Sequence, residues 1–394
     1  MYSVRTLNNI SINGLRRLPR DNYEVASELA EPDAILVRSF KMHDMEIPQS
    51  VQCIGRAGAG TNNIPIEQLS DRGVPVFNAP GANANAVKEL VLAGLFLAAR
   101  NIKPALTYVA DLDGTDAEIS KAVEAGKKQY AGNELPGRTL GVIGLGAIGV
   151  QVCNAALALG MNVVGFDPHM TVARAWQLSA GVDEAVSVDH LLGQCDMVSV
   201  HVPLVDATRG LINAERLKLM PAHAVLLNMA RGGVVDDEAV VAALEADALQ
   251  AYVTDFPNKT TIGHEKVVAL PHLGASTAEA EDNCAMMVAD TVKDYLENGN
   301  IRHSVNFPDA SLPRAEGSTR LSVANRNVPN MVGQISTILA NGGLNIADLL
   351  NKSRGELAYT IVDVDGTVDA SLVAEITAIE GVLNVRLPGH SGVA

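Results

Sequence analysis

Aromatic residues are scarce in this sequence, at 4% of positions, and basic residues are outnumbered, with 30 Lys and Arg against 45 Asp and Glu. A net charge of −15 argues against nucleic acid or an anionic membrane surface as partner. It also means that an anionic substrate must be drawn in by a local basic cluster. Cysteine is rare: Cys53, Cys153, Cys195 and Cys284 lie far apart, with no metal-ligand spacing. No metal site is expected. The first residues lack the character of a signal peptide, which points to the reducing cytoplasm. Long apolar runs are missing too, since the most apolar stretch, Leu90 to Ala99, is too short to cross a bilayer and reads as a buried helix.

What is present is apolar content of 47% and 34 glycines in 394 residues, enough for two or three domains. Thr139-Leu-Gly-Val-Ile-Gly-Leu-Gly-Ala-Ile-Gly149 is the most informative stretch. An apolar strand, Leu140 to Ile143, runs into Gly144, Gly146 and Gly149, the GxGxxG spacing of a dinucleotide turn. The first glycine permits the tight turn, the second lets backbone approach a pyrophosphate, and the third lets helix pack on strand. The next segment carries Ile148, Val152, Ala155, Ala156 and Leu159 on one helical face, with Gly160 placed to cap it and Met161 to Phe166 as the following strand. Asp167 then stands about 20 residues after Gly144, where an acid binds an adenosine ribose and repels a 2′-phosphate. That favours NAD over NADP. A plain turn aspartate before Pro168 is the alternative at this point.

Before this turn, strands at Ile35 to Val37, Val51 to Ile54 and Val74 to Phe77 and a helix at Asn85 to Ala99 predict an α/β domain. Residues 100–136 are polar and read as a connection. Six strands follow, at Leu140 to Ile143, Val163 to Phe166, Met197 to Val202, Ala224 to Asn228, Ala251 to Asp255 and Val267 to Leu270, which predict a doubly wound parallel sheet. A helix at Ala278 to Glu297 comes next. Residues 306–318 hold Pro308, Pro313 and Gly317 with few apolar side chains and read as a linker. Beyond it the order strand, helix, strand, strand, helix, strand is that of a ferredoxin-like unit.

Open α/β sheets bind ligands beyond the carboxyl ends of their strands. Strand Ala224 to Asn228 delivers Arg231 there, and strand Val267 to Leu270 delivers His272. The planar guanidinium of Arg231 suits a carboxylate with an adjacent carbonyl, and His272 can exchange the hydroxyl proton of a 2-hydroxy acid. Each also has a plainer alternative, as a solvated turn residue or a satisfied strand-end histidine. For a substrate phosphate the candidates are Arg38, Ser39 and Lys41 at one strand end, and Arg56 with the glycine-rich loop Gly58 to Thr61 at another, where backbone amides form an anion nest.

Arg56-Ala-Gly-Ala-Gly-Thr-Asn62, Gly144 to Gly149, His201-Val-Pro203, Asn228-Met-Ala-Arg-Gly-Gly233 and Pro271-His-Leu-Gly-Ala-Ser-Thr277 span nearly the whole chain in one order. The chain resembles the D-isomer-specific 2-hydroxyacid dehydrogenases, in particular the branch ending in an ACT domain. The resemblance implies an α/β fold of two doubly wound parallel-sheet domains, a Rossmann NAD domain inserted in a flavodoxin-like substrate domain, plus a ferredoxin-like ACT domain. The implied boundaries are 1–98 with 277–305 for substrate, 99–276 for NAD, 306–318 as linker and 319–394 for ACT.

By the same resemblance NAD contacts fall on Gly144, Gly146, Ala147, Ile148, Gly149, Asp167, Pro203, Met229, Ala230, Arg231, Asp255, His272 and Gly274, with Asp255 meeting the carboxamide. Substrate contacts fall on Arg38, Ser39, Lys41, Arg56, Gly58 and Arg231, and effector contacts on Asn325, Asn327 and Asn345. The implied reaction is NAD-dependent oxidation of 3-phospho-D-glycerate to 3-phosphohydroxypyruvate, which opens serine synthesis, with serine as effector and a homodimer or homotetramer as assembly. Oxidation or reduction of glycerate, lactate or 2-hydroxyglutarate is the nearer alternative, and a non-catalytic NAD sensor the more distant one. The sequence departs from the pattern where a glutamate normally pairs with the histidine. The segment Asp255-Phe-Pro-Asn-Lys259 is one residue short and puts Lys259 there, so a catalytic Lys259–His272 pair is the expectation, with Lys259 pointing to solvent and His272 working alone as the alternative.

Overall fold

The structure is a computed structural model, and it describes residues 1–315 and 317–389. Its contacts divide the chain into two compact units, one of residues 1–83 with 278–394 and one of residues 84–277. The first opens with a parallel sheet of β1 (Tyr2–Leu7), β2 (Tyr23–Ala26), β3 (Ala34–Val37), β4 (Cys53–Arg56) and β5 (Val76–Phe77), in the order β2-β1-β3-β4-β5. That is the flavodoxin-like order. All four residues of β3 are buried, as a strand covered on both faces requires. The long helix Ala278–Asn298 covers one face. Gly55 in β4 lets it approach, since a Cβ there would press on Val288 and Val292. The strands β1 and β2 were not legible in the sequence, because β1 mixes buried Tyr2, Val4 and Leu7 with half-buried Ser3, Arg5 and Thr6.

The second unit is a seven-stranded parallel sheet of β6 (Thr139–Ile143), β7 (Asn162–Phe166), β8 (Val182–Glu184), β9 (Met197–Val200), β10 (Val225–Asn228), β11 (Ala251–Thr254) and β12 (Val267–Ala269). Its order, β12-β11-β10-β9-β6-β7-β8, reverses direction between β6 and β9, the switch point of a dinucleotide fold. The edge strand β8 is the one the sequence reading missed, and its three residues include no buried side chain. The helix Ala84–Ala99 belongs to this unit: Gly94 lies against Leu227, Met229 and Val253 of the sheet and its turn. The divide therefore falls at 83/84, not at the 98/99 expected. No single helix among the described residues is long and apolar enough to cross a membrane.

The chain ends in β13 (Thr319–Arg326), β14 (Asn345–Arg354), β15 (Leu357–Asp365) and β16 (Val382–Arg386), antiparallel in the order β14-β15-β13-β16. With helices Met331–Asn341 and Ala370–Thr377 this is the ferredoxin-like arrangement. The sheet is not free-standing. Ala324, Tyr359 and Ile361 join one core with Tyr2, Tyr295 and Phe307, and Arg386 lies 4.2 Å over the Tyr295 ring. Residues 306–318 likewise depart from the expected linker. Phe307 is fully buried, and the Asn306 side chain donates to Ser70 Oγ and to the Val74 carbonyl, each at 3.0 Å. Ala310 is buried as well, so a few anchors hold a segment otherwise poor in apolar residues.

Arg320 and Asp363 fasten this packing. Both side chains have no solvent exposure, and the guanidinium meets the carboxylate through Nε and Nη2, each at 2.6 Å. The remaining Arg320 donors go to the carbonyls of Asn298, Leu312 and Pro313. Burial by itself would raise the Asp363 pKa, but the Arg320 bonds and charge outweigh it and hold the carboxyl below its usual range. We expect Asp363→Ala, which strands a buried guanidinium, to cost about 3–5 kcal/mol by denaturant unfolding, while Arg17→Ala, at an exposed pair with Asp290, costs about 1 kcal/mol or less.

Candidate functional site

The glycine turn follows β6 at the switch point. Gly144 has φ +94°, a conformation L side chains avoid. A Cβ on Gly149 would overlap the Gly144 carbonyl, whereas one on Gly146 would meet no atom within 4 Å. Open space therefore lies at the second glycine alone, where a pyrophosphate would approach. Gly146 caps the helix Ala147–Ala158 with no side-chain acceptor, so the amides at Ala147 and Ile148 remain available to an anion. Asp167 ends β7 beside this turn: one carboxylate oxygen accepts the Leu145 amide at 2.8 Å and the other the His169 amide at 2.9 Å. This donor set fits a dinucleotide with an unphosphorylated adenosine ribose.

His201 follows β9 on the other side of the switch point. Its Nε2 meets Ser199 Oγ at 2.8 Å, while its buried Nδ1 has no partner. Burial lowers its pKa to about 4. The next two residues lead to exposed Pro203.

At the end of β10, buried Asn228 closes the turn that carries Arg231. Its amide donates to the Arg231 carbonyl at 3.0 Å and its oxygen accepts the Ala230 amide at 3.1 Å. Met229 and Ala230 are buried, and Arg231 is exposed. At the end of β11, Asp255 is 1% exposed and accepts the amides of Leu273 at 2.7 Å and Gly274 at 2.8 Å. Both its oxygens thus serve the backbone just after His272. His272 sits at φ +55°, and its ring rests against Phe256 with centroids 4.8 Å apart. A left-handed non-glycine residue costs about 1–3 kcal/mol. Two amide bonds to a buried carboxylate, at about 1.5–3 kcal/mol each, offset that.

Lys259 is not brought to His272. Asn258 forms a closed turn in which its Oδ1 accepts the amides of Thr260 and Thr261 and its own amide donates to Thr261 Oγ1. Lys259 is left exposed at the tip, outside the cavity of about 510 Å³ that His272 lines with Asp237, Asp255, Phe256 and Asn258. No bond joins Lys259 to His272, because the Asn258 turn leaves residue 259 at its exposed tip. Asn228, Asp237 and Asn258 escaped the sequence reading because their roles depend on contacts between separate loops.

In the first unit, Arg38 and Arg56 leave the ends of adjacent strands β3 and β4. The Arg56 Nε donates to the Arg38 carbonyl at 3.1 Å, and Arg38 pairs with Glu281. Gly58 stands beside them at φ +155°, a backbone conformation that side chains rarely adopt, and a Cβ there would press on the movable end of Arg56. Ser39 is exposed, and its amide donates to Asn8 Oδ1 at 3.2 Å. Lys41 is also exposed and pairs with Asp44 at 3.1 Å, away from the two arginines in bonding. In the C-terminal sheet, Asn325 is buried and donates to the Arg326 carbonyl, Asn327 donates to the Gly355 carbonyl, and Asn345 donates to Asp365. Asn325 and Asn345 pair with opposite ends of β15, Ala358 and Asp365. One chain does not gather them.

Residues 95–274 match the model for the D-isomer specific 2-hydroxyacid dehydrogenase NAD binding domain. The chain is 33% identical over 356 residues to a D-3-phosphoglycerate dehydrogenase of Haemophilus influenzae, covering 87% of this chain and 82% of that one. It is 32% identical to its namesake in Escherichia coli K12, covering 86% and 82%. Among solved structures it is similar to an NAD+-bound 3-phosphoglycerate dehydrogenase of Entamoeba histolytica, with TM-score 0.60, 25% identity and coverage of 77% and 98%.

Two outcomes follow from the turn and from His201. Gly146→Ala should leave the melting temperature unchanged while weakening dinucleotide binding at least about tenfold, whereas Gly149→Ala should cost about 1–3 kcal/mol of stability; calorimetry and fluorescence titration separate them. The folded His201 pKa lies below the unfolded value of about 6.5, so the unfolded chain takes the proton first. Its contribution is fully present above about pH 6.5 and is lost as pH falls toward about 4, and His201→Gln should flatten that slope in denaturant titrations.

Proposed function

Because this chain belongs to the D-isomer-specific 2-hydroxyacid dehydrogenases, we propose that it oxidises 3-phospho-D-glycerate to 3-phosphohydroxypyruvate, the step that opens L-serine synthesis. The observation that carries this reading is the carboxyl edge of one parallel sheet, which presents the open glycine turn, Asp167, Arg231 and His272 together. Relatives at 33% identity bear the name of that activity.

NAD, held by the Gly144 to Gly149 turn and Asp167, supplies the hydride acceptor. His272, exposed to its cavity, takes the hydroxyl proton as the C2–H bond breaks and becomes imidazolium. Arg231, on the turn that Asn228 closes, binds the carboxylate and the developing carbonyl. Asp255 acts through the backbone by holding His272 in its left-handed conformation. The substrate phosphate is assigned to Arg38, Arg56 and the Gly58 loop, the choice being supported by two arginines at adjacent strand ends beside that loop. Ser39 and Lys41, exposed after the same strand as Arg38, belong to this assignment as well.

Serine as effector belongs to the same reading, with Asn327 and Asn345 as exposed contacts. Since one chain separates Asn325 from Asn345, that site needs a second copy, so a homodimer or homotetramer is part of the proposal. A cytoplasmic location is supported by four cysteines that are all free and buried.

Turnover should be seen with 3-phosphoglycerate and not with D-glycerate, D-lactate or 2-hydroxyglutarate when nicotinamide reduction is followed on the purified chain. His272→Ala should lower kcat about 10²–10⁴-fold. Equal activity on the unphosphorylated acids would move the assignment to another D-2-hydroxy acid. NAD binding without turnover of any would make the chain a sensor.

A further inference from the structure

A negative charge near a histidine that accepts a proton favours its cation. The position expected to supply one holds Lys259, which is exposed and outside the cavity. Two carboxylates do line that cavity, Asp255 and Asp237. Asp255 holds the backbone just after His272, with one amide on each oxygen. Asp237 stands at the start of the helix Asp237–Glu245 that follows the Arg231 turn, and it is half-buried. Its Oδ1 accepts the Tyr252 hydroxyl at 3.1 Å and its Oδ2 accepts the Asn258 amide at 2.6 Å. Two donors converging on one carboxylate is the arrangement its ionised form requires. Asn258 is the residue whose closed turn sends Lys259 outward, so the same local fold that removes residue 259 from the cavity ties a different carboxylate into its wall.

We infer that Asp237, oriented by Asn258 and Tyr252, balances the charge of protonated His272 in this chain, taking over the role expected of a carboxylate at position 259. Asp237 is a positioning residue: it acts on His272 through the field across their shared cavity and touches no reacting atom. The inference rests on the dehydrogenase reading for its consequence in turnover, but not for the coupling itself. The titratable and charged groups bonded to Asp237, lining the cavity or flanking it in sequence are Tyr252, Asp255 and His272, with Asp236 and Glu238 beside Asp237, Arg231 on the preceding turn and Lys259 outside. Burial pushes the Asp237 pKa up, and the bonds from Tyr252 and Asn258 only partly reverse this.

The test is the titration of His272 by NMR on the full chain without added ligand, its resonance identified by its loss in His272→Gln. Asp237→Asn should lower the His272 pKa by about half a unit to one unit, Asp237→Glu should restore it, and Lys259→Ala should leave it unchanged. The reciprocal measurement needs no change at Asp237: in His272→Gln the Asp237 carboxyl should titrate higher than in wild type, and this stands in for the first if Asp237→Asn fails to fold. In turnover, the limb of kcat/KM against pH set by His272 should shift to lower pH in Asp237→Asn with a plateau about tenfold lower, while KM for the cofactor is unchanged. A His272 pKa identical in wild type and Asp237→Asn overturns the inference, as does a rise of that pKa in Lys259→Ala, which would make Lys259 the neighbour. Should no 2-hydroxy acid be turned over, the dehydrogenase reading fails while the two titrations still decide the coupling.

Discussion

The Asp255 carboxylate is the interaction on which the second unit's chemistry depends. It is buried at the end of β11, and it accepts the amides of Leu273 and Gly274 on the loop leaving β12. Those bonds hold His272 in a left-handed conformation that its own backbone disfavours, and so set where the imidazole faces. A loop free to relax would carry the ring elsewhere at little cost. Because the carboxylate is inside and both its oxygens are engaged, the geometry is enforced by the core rather than by the surface.

The same logic repeats along the carboxyl edge of that sheet. Asn228 closes the turn that presents Arg231, Asp167 accepts the amide of Leu145 inside the glycine turn, and Asn258 closes the turn beyond β11. In each case a side chain just past a buried strand bonds the backbone of a loop. Functional side chains are thus aimed by rigid strand ends, and local polar bonds replace the packing that loops lack. In the loop after Asp255, the Asn258 turn leaves Lys259 exposed at its tip while the Asn258 side-chain amide meets Asp237.

In the first unit the C-terminal sheet is tied into the core of the α/β layer. Tyr359 donates to the Gly299 carbonyl at 2.8 Å, Arg386 bonds Gln52 at 2.7 Å while covering Tyr295, and Arg320 with Asp363 gathers the carbonyls of Asn298, Leu312 and Pro313. The end of the helix Ala278–Asn298, the segment after it and two strands of the sheet therefore meet at one buried ion pair. Such a pair contributes more to fixing an arrangement than to net stability, since its desolvation offsets most of its attraction.

The sequence by itself determined the sheet types and most strands, because buried parallel strands read as continuous apolar runs, as in Ala34 to Val37 and Val225 to Leu227. It also determined the glycine turn, whose three positions have separate steric demands, and the presentation of Arg231 and His272 at strand ends. Strands β1, β2 and β8 were hidden by mixed or polar composition, and the anchoring of residues 306–315 by the fact that it runs through scattered contacts, among them Phe307, Asn306 and the carbonyls bound by Arg320. Only the tertiary structure decided which carboxylate serves the His272 cavity, what Asp255 bonds, and that Lys259 faces away. Those outcomes depend on hydrogen bonds between loops distant in sequence, such as Asp237 with Asn258 and Asp255 with Gly274, and no periodicity or spacing encodes where two loops meet.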